Sequence, residues 1–275
     1  MAKVILNGEL IDSNQANIPV FNKAMFFNFA VYDSMKVVKG KSFFPEFHVE
    51  RLIDSAKIIK LEHPFTKEEI LSWIEKLIKA NEIKDSLFRF LLLGAASPDE
   101  QPQLFIFSVG LTFYPSRDYN QGVKVVTYHG ERKVPQAKSK ELLLSFLAFR
   151  EATNAQARDA LLVDSEECIR EGTRTNFFAV KAGKLYTALL TDVLEGVTLK
   201  IVKKLAKENE IEIVEEKVKL SELDKYDEFF ITSTSMNVMP VVQIDNFVCK
   251  NGVGPVTKRL ITLFKEYYDK EVFEL

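Results

Sequence analysis

Two runs in the first half of the chain, SLFRFLLLGAA (residues 86–96) and PQLFIFSVGLTFY (102–114), are apolar at most positions. Runs of this length, rich in Phe and Leu and bounded by turn residues, read as strands buried on both faces. Such strands oblige the rest of the chain to supply covering elements. The preceding segments do so: EFHVERLIDSAKIIKL places Val49, Leu52, Ile53, Ala56 and Ile59 on one helical face, and TKEEILSWIEKLIKANE does the same with Ile70, Leu71, Ile74, Leu77 and Ile78. Short β-like runs, KVILNG, VYDSMKVVKG and KSFFP, come before them. Strands, then helices, then strands predict an α+β domain over residues 1–114. The polar, turn-rich PSRDYNQG (115–122) reads as an interdomain linker.

Residues 123–275 read as a second α+β domain. Strands are expected in VKVVTY, DALLVD, TNFFAVKAG, KLYTAL, IEIVEEKV and DEFFITSTS, a hairpin in PVVQIDNFVCKNG, and helices in PQAKSKELLLSFLAFREA, GVTLKIVKKLAKENE and PVTKRLITLFKEYYDKE. Its many short strands suit closure into a barrel.

Composition narrows the function. With 275 residues and 47% hydrophobic content the chain can bury substantial cores, and a net charge of −2 with Lys and Glu interspersed gives no basic stripe for nucleic acid. No apolar stretch reaches the roughly 18 residues of a membrane span, and MAKVILNGELIDSNQ lacks the layout of a secretory signal, so a cytoplasmic protein is expected. Cys168 and Cys249 are expected as free thiols. His48, His63 and His129 show no ligand spacing, so no metal site is expected.

Five stretches exceed what a scaffold needs. In PQAKSKELLL, Lys138 precedes Ser139, a fair N-cap, and a lysine just outside a helix start is disfavoured as a cation by the helix dipole. Lys140, in the expected first turn beside Glu141, reads as solvated. In REGTRTNFF, Glu171 is either a turn residue or a fixed anion beside a buried cation. Gly196, Val197 and Thr198 open a helix with no acid in its first turn, which is either an ordinary start or a place for phosphate. Thr232, Ser233, Thr234 and Ser235 end an apolar strand with hydroxyls that either meet solvent or curl round an anion. Arg51 borders the apolar face of its helix, where it forms a structural ion pair or grips a phosphate.

In this order, HVERLIDSAKI, AKSKELLLSFLA, EGTRTNFF, GVT and ITSTSMNVMPV resemble the class IV aminotransferases. These are the fold-type IV pyridoxal-phosphate (PLP) enzymes that include D-amino-acid aminotransferase, branched-chain aminotransferase and aminodeoxychorismate lyase. The resemblance spans VYDSMKV to GPVTKRL. It implies two α/β domains with PLP at their boundary, the second domain barrel-like, and a homodimer. It also implies that Lys138 carries PLP as a Schiff base and moves the substrate proton, and that Glu171 faces the pyridine nitrogen. Arg51, Val197, Thr198, Ser233 and Thr234 would hold the phosphate, and Asn176 would orient the Glu171 loop or serve a structural turn.

Tyr32, Lys36 and Ser235 fall on the substrate side of this correspondence. VYDSMKV is closer to the D-amino-acid branch than to the branched-chain one, where Phe-Glu-Gly-Ile-Arg is usual. The loop that supplies Arg and His to the substrate carboxylate in the D-branch reads SPDEQPQ here, with Asp99 and Gln101, and an acidic loop cannot hold a carboxylate. Arg174 is then the first candidate, or else a surface arginine on a loop, with Lys36 and Arg89 behind it; Arg89, inside an apolar run, needs a buried partner or is only structural. The expected activity is transfer of an amino group from an amino acid to a 2-oxo acid. The alternatives are a branched-chain L-amino-acid aminotransferase, an (R)-amine transaminase and an aminodeoxychorismate-type lyase.

Overall fold

The two apolar runs pair with each other, from Leu87 opposite Val109 to Leu93 opposite Gln103, at the centre of a six-stranded antiparallel sheet. The computed structural model describes residues 2–273. By its internal contacts the chain forms two units, Met1–Thr112 with Ala137–Glu141, and Phe113–Gln136 with Leu142–Leu275. The short segment Ala137–Glu141 thus goes with the first unit although it lies beyond residue 114.

The first unit contains β1 (Lys3–Leu6), β2 (Glu9–Asp12), α1 (Lys23–Phe26), β3 (Ala30–Val38), β4 (Lys41–Ser42), α2 (Pro45–Ile58), α3 (Lys67–Ala80), β5 (Ser86–Leu93) and β6 (Gln103–Val109). Its sheet runs β2-β1-β6-β5-β3-β4. One face, with Val31, Met35, Val37, Phe88, Phe90 and Leu92 buried, lies under α2 and α3. Pro45 occupies the first turn of α2. Thr66 and Glu69 form a reciprocal capping box at the start of α3, the Thr66 hydroxyl accepting from the Glu69 N–H and the Glu69 carboxylate from the Thr66 N–H.

The second unit contains α4 (Ser116–Gln121), β7 (Val123–His129), α5 (Leu143–Asn154), β8 (Ala160–Val163), β9 (Cys168–Gly172), β10 (Asn176–Lys181), β11 (Lys184–Thr187), α6 (Val197–Glu208), β12 (Ile213–Glu215), β13 (Val218–Lys219), β14 (Glu228–Ser233), β15 (Asn237–Ile244), β16 (Phe247–Val248) and α7 (Pro255–Phe273). The stretch expected as a linker therefore carries a helix. Asp118 of α4 is buried against Arg158, a tertiary ion pair that local composition does not reveal.

Strands β7, β8, β9, β10, β14 and β15 pair in a ring, β15 with β7 completing it on one side and Asn176 of β10 opposite Glu171 of β9 on the other. This closed barrel is filled by Val123, Val125, Leu161, Val163, Ile169, Phe177, Phe229, Ile231, Met239 and Val241. Outside it, α5 packs on β7 and β8, α6 on β14, and α7 on β14 and β15. The barrel expected from the short strands is present, and its seam is where Glu171 and Asn176 meet. No described helix is long and apolar enough to cross a membrane.

Candidate active site

The candidate residues are divided between the two units, and each half is built locally. In the first unit, Lys138 is not at a helix start, because α5 begins at Leu143. Its segment is instead extended along the beginning of β3: Ser139 bridges Val31, the Tyr32 N–H donates to the Lys138 carbonyl at 3.0 Å, and the Lys140 N–H donates to the Ala30 carbonyl at 2.9 Å. The Lys138 N–H donates to Ser55 Oγ of α2 at 3.0 Å. These bonds to pre-formed partners outcompete the nucleation of an extra helical turn. Contrary to expectation, then, Lys138 meets no helix dipole, Ser139 caps no helix and Lys140 occupies no first turn. What the structure offers in their place is a rigid backbone under Lys138 and an ammonium 4.8 Å from the centroid of the Tyr32 ring.

Alternation along β3 sends Asp33 to the helix side, and there it meets α2. Arg51 Nε and Nη2 donate to the two Asp33 oxygens at 2.8 Å each, and His48 Nδ1 lies 2.8 Å from Asp33 Oδ1. Burial by itself raises the pKa of Asp33, but Arg51 and His48 more than reverse this and hold the carboxyl well below the usual range. Burial also lowers the pKa of His48, with Arg51 and Lys138 acting in the same direction against Asp33. Neutral His48 then donates from Nδ1, which leaves Nε2 as a buried acceptor without a hydrogen bond. The Arg51 edge formed by Nε and Nη2 is committed to Asp33, the structural ion pair foreseen for it, so a phosphate would have to meet the other edge.

Tyr32, Ser34 and Lys36 point to the opposite face. Arg89 stands across from Ser34 and donates from Nη1 to its Oγ at 2.7 Å, which supplies the partner an arginine in an apolar run requires. Leu91, opposite Tyr32, and Phe107, opposite Arg89, continue this face as half-buried apolar surface. Lys36 is 7% exposed, and burial lowers its amine to about 8. The loop at 97–103 serves a different purpose: Glu100 accepts from the N–H groups of Lys23 and Ala96, while Asp99 and Gln101 are exposed.

In the second unit Glu171 lies within β9, not in a turn, and is 3% exposed. Arg132 Nε is 3.4 Å from Glu171 Oε1 and compensates its buried charge, while Arg132 Nη2 donates to the Thr173 carbonyl. A buried cation is the second of the two readings left open for Glu171, but nothing in the sequence points to Arg132, because its loop carries no pattern beyond general polarity. The Leu194 N–H points to Glu171 Oε2 at 3.4 Å, and Asn176 Nδ2 donates to the Leu194 carbonyl at 2.7 Å. Asn176 thus orients Glu171 from two sides, as its strand neighbour and through Leu194.

Two residues further on, α6 begins at Val197 with Gly196 as N-cap, no side-chain cap and no acid in the first turn. The first N–H groups of the helix, those of Val197 and Thr198 among them, have no intrahelical acceptor and present the positive end of its dipole. A Cβ at Gly196 would lie 2.1 Å from Asn176 Oδ1, so only glycine lets the helix start approach the seam this closely. Thr232 stands opposite Asn176 on β14, and its buried Oγ1 has no hydrogen-bond partner. Of the hydroxyls that follow, Ser233 Oγ accepts from the Met236 N–H and lies 3.3 Å from Ser235 Oγ, so it closes its own turn; Thr234 is half-buried.

Of its two readings, Arg174 has the position of the second, a surface arginine on a loop. It is exposed, and its guanidinium lies 4.0 Å over the Phe149 ring of α5. The loop around it is held from beneath by Asp159, which accepts from the Thr173 and Thr175 hydroxyls, and this fixes the loop with Arg174 turned to the α5 side.

The chain is similar to known proteins over most of its length. The profile of a family described as amino-transferase class IV matches residues 30–244. The D-alanine aminotransferase of Staphylococcus haemolyticus is 31% identical over 280 residues, covering 98% of this chain and 99% of that protein. The T.th. branched-chain amino acid aminotransferase with pyridoxamine 5'-phosphate superposes with a TM-score of 0.89 at 26% identity, over 98% of this chain and 97% of the other. The Escherichia coli branched-chain enzyme gives a TM-score of 0.88 at 25% identity, over 97% and 94%.

The residues present fit PLP. Its phosphate needs unsatisfied donors, and the second unit offers an uncapped helix start with the orphaned Thr232 hydroxyl nearby in the register. Its ring nitrogen needs a buried carboxylate, and Glu171 is joined to that helix start through Leu194 and Asn176.

Proposed function

The chain belongs to the class IV aminotransferases, PLP-dependent transaminases, and from that premise we propose that it transfers the amino group of an amino acid to a 2-oxo acid, on the D-amino-acid side of the family, with the substrate carboxylate held by Arg89 and Lys36. One observation carries this reading. The two cations share a sheet face with Tyr32, over which the Lys138 ammonium lies, and Arg89 is oriented there by Ser34. The loop at 97–103 offers acids in their place. Arg174, stacked on Phe149, is given no part.

When bound, PLP supplies an electron sink for the charge that develops at the substrate Cα. Lys138 would hold the cofactor, and its Nζ would move the proton at the substrate Cα as general base and acid. Tyr32 restricts where that ammonium can go, and the Ser55 and β3 hydrogen bonds keep the Lys138 backbone from following it. Glu171 keeps a proton on the pyridine nitrogen. In the second unit the Val197 and Thr198 N–H groups, with Thr232 and Thr234, would hold the phosphate. Ser233 and Ser235 shape that turn.

A branched-chain L-amino-acid aminotransferase is the second reading, favoured by Leu91 and Phe107, which flank Arg89 with apolar surface. A donor panel of D-alanine, L-leucine, L-glutamate and (R)-1-phenylethylamine tests both. Activity on D-alanine that falls in Arg89→Ala while amine activity persists supports the first; activity on L-leucine alone supports the second. Equal activity on all donors would sink the assigned carboxylate site. Borohydride reduction and peptide mapping check the lysine, and a label on Lys140 removes Lys138 from its role. We also infer a homodimer, supported by the exposed side chains of Val20, Phe21, Phe26 and Phe27.

A further inference from the structure

Glu171 reaches the cofactor cradle because β9 carries one residue more than its neighbour. Val163 of β8 pairs with Ile169 and Leu162 with Glu171, so Arg170 stands opposite no residue of β8 and forms a β-bulge. Ile169 and Val163 lie inside the barrel, whereas Leu162 belongs to the apolar cluster under α5. Unbroken alternation would put Ile169 inward, Arg170 outward and Glu171 inward again, a carboxylate among Phe177 and Ile231. The extra residue resets the phase. Glu171 instead shares the outer face with its row partners Asn176 and Thr232.

A bulge needs something to hold its extra residue out, and Arg170 has three anchors. Its Nε donates to Asp164 Oδ2 at 2.7 Å, Nη1 lies 2.8 Å from Asp192 Oδ2, and Nη2 donates to Glu131 Oε2 at 3.1 Å. Asp164 follows β8. Glu131 precedes Arg132, which meets Glu171, and Asp192 stands two residues before Leu194, whose N–H points to the same carboxylate. We propose that Arg170 is a positioning residue: it pins the bulge that aims Glu171, and through Glu131 and Asp192 it fixes the two loops that bring Arg132 and Leu194 onto the Glu171 carboxylate. This rests on the reading of Glu171 as the partner of the ring nitrogen.

The test uses the full-length protein stripped of PLP and titrated with it, following affinity by fluorescence and the visible spectrum of bound cofactor, with Glu171→Gln as benchmark. Arg170→Gln is expected to lose about tenfold in PLP affinity, an ordinary loss for an outer support of a functional group. Its spectrum shifts toward that of Glu171→Gln, which a merely loosened barrel would not reproduce. Glu131→Gln and Asp192→Asn shift it the same way but less. Amide exchange over residues 169–172 of the apoprotein accelerates in Arg170→Gln. Wild-type affinity and spectrum in a folded Arg170→Gln overturn the proposal. Should that variant not fold, the two single-arm variants decide: a shift in either supports it, and wild-type spectra in both overturn it. If Glu171→Gln itself keeps the wild-type spectrum, the reading of Glu171 fails and takes this inference with it. If Glu171→Gln shifts and Arg170→Gln does not, only the inference fails.

Discussion

Lys36 shows how a single buried charge can be read twice. Its amine is brought down to about 8 from 10.5 by burial, a difference of about 3 kcal/mol. Below pH 8 both folded and unfolded chains carry the proton, and the folded state bears the net penalty of burying the charge. Between pH 8 and 10.5 only the unfolded chain binds it, so stability rises with pH through that window and the penalty is gone above it. Lys36→Met is therefore expected to stabilise the protein by up to about 3 kcal/mol at pH 7, with the gain fading by pH 10.5. Urea unfolding at the two pH values measures this, and an equal gain at both would rule the account out. The same variant should raise the KM for 2-oxo acids, the functional counterpart of a destabilising lysine. Arg132 and Glu171 behave oppositely because each compensates the other. Arg132→Leu deprives a buried carboxylate of that cation and should destabilise by about 3–5 kcal/mol, whereas Arg132→Leu combined with Glu171→Leu should recover most of that loss. Additive losses in this double-mutant cycle would show that the two side chains do not support one another.

At the scale of elements, regular periodicity was legible and its interruptions were not. The stripes of α2 and α3, the paired apolar runs of β5 and β6 and the β15–β16 hairpin follow directly from residue spacing. Strand β9 was hidden because half of SEECIREG is charged and the bulge at Arg170 breaks its alternation. Helix α4 was hidden because its burial depends on Arg158, far along the chain. The helix start that singled out Lys138 is not there, since bonds to β3 and Ser55 are invisible from local sequence, and residue type and order alone keep it as the candidate. The start of α6 was the reverse case, placed correctly by the run GVT, with the reason for its glycine supplied only by tertiary structure. Gly196→Ala sets a methyl against Asn176 Oδ1 and must displace either that side chain or the first turn. PLP affinity is expected to fall about tenfold or more with little change in helix content, about 1.4 kcal/mol or above at the cradle. Calorimetric titration of the apoprotein together with circular dichroism would check it, and unchanged affinity would detach this helix start from the phosphate.

At the scale of the molecule, one stretch of the first unit leaves several large apolar side chains exposed close together in sequence. Val20, Phe21, Phe26 and Phe27 are 73%, 92%, 78% and 69% exposed, and the last two rings meet edge to face at 5.5 Å. Each of these side chains would gain about 1.5–3 kcal/mol on full burial, and contiguous apolar patches on soluble proteins generally mark a contact. A second copy of the chain is the occupant inferred above, and a closed two-fold contact would bury the same residues of both copies at once. Sedimentation of the purified protein at micromolar concentration is then expected to give twice the chain mass. Phe21→Ser with Phe26→Ser should shift the equilibrium to the monomer without lowering the denaturant midpoint of that monomer, because neither ring contributes to a core. A wild-type protein that sediments as a monomer would refute the inferred dimer, and a dimer unaffected by the paired substitution would move its contact to another face.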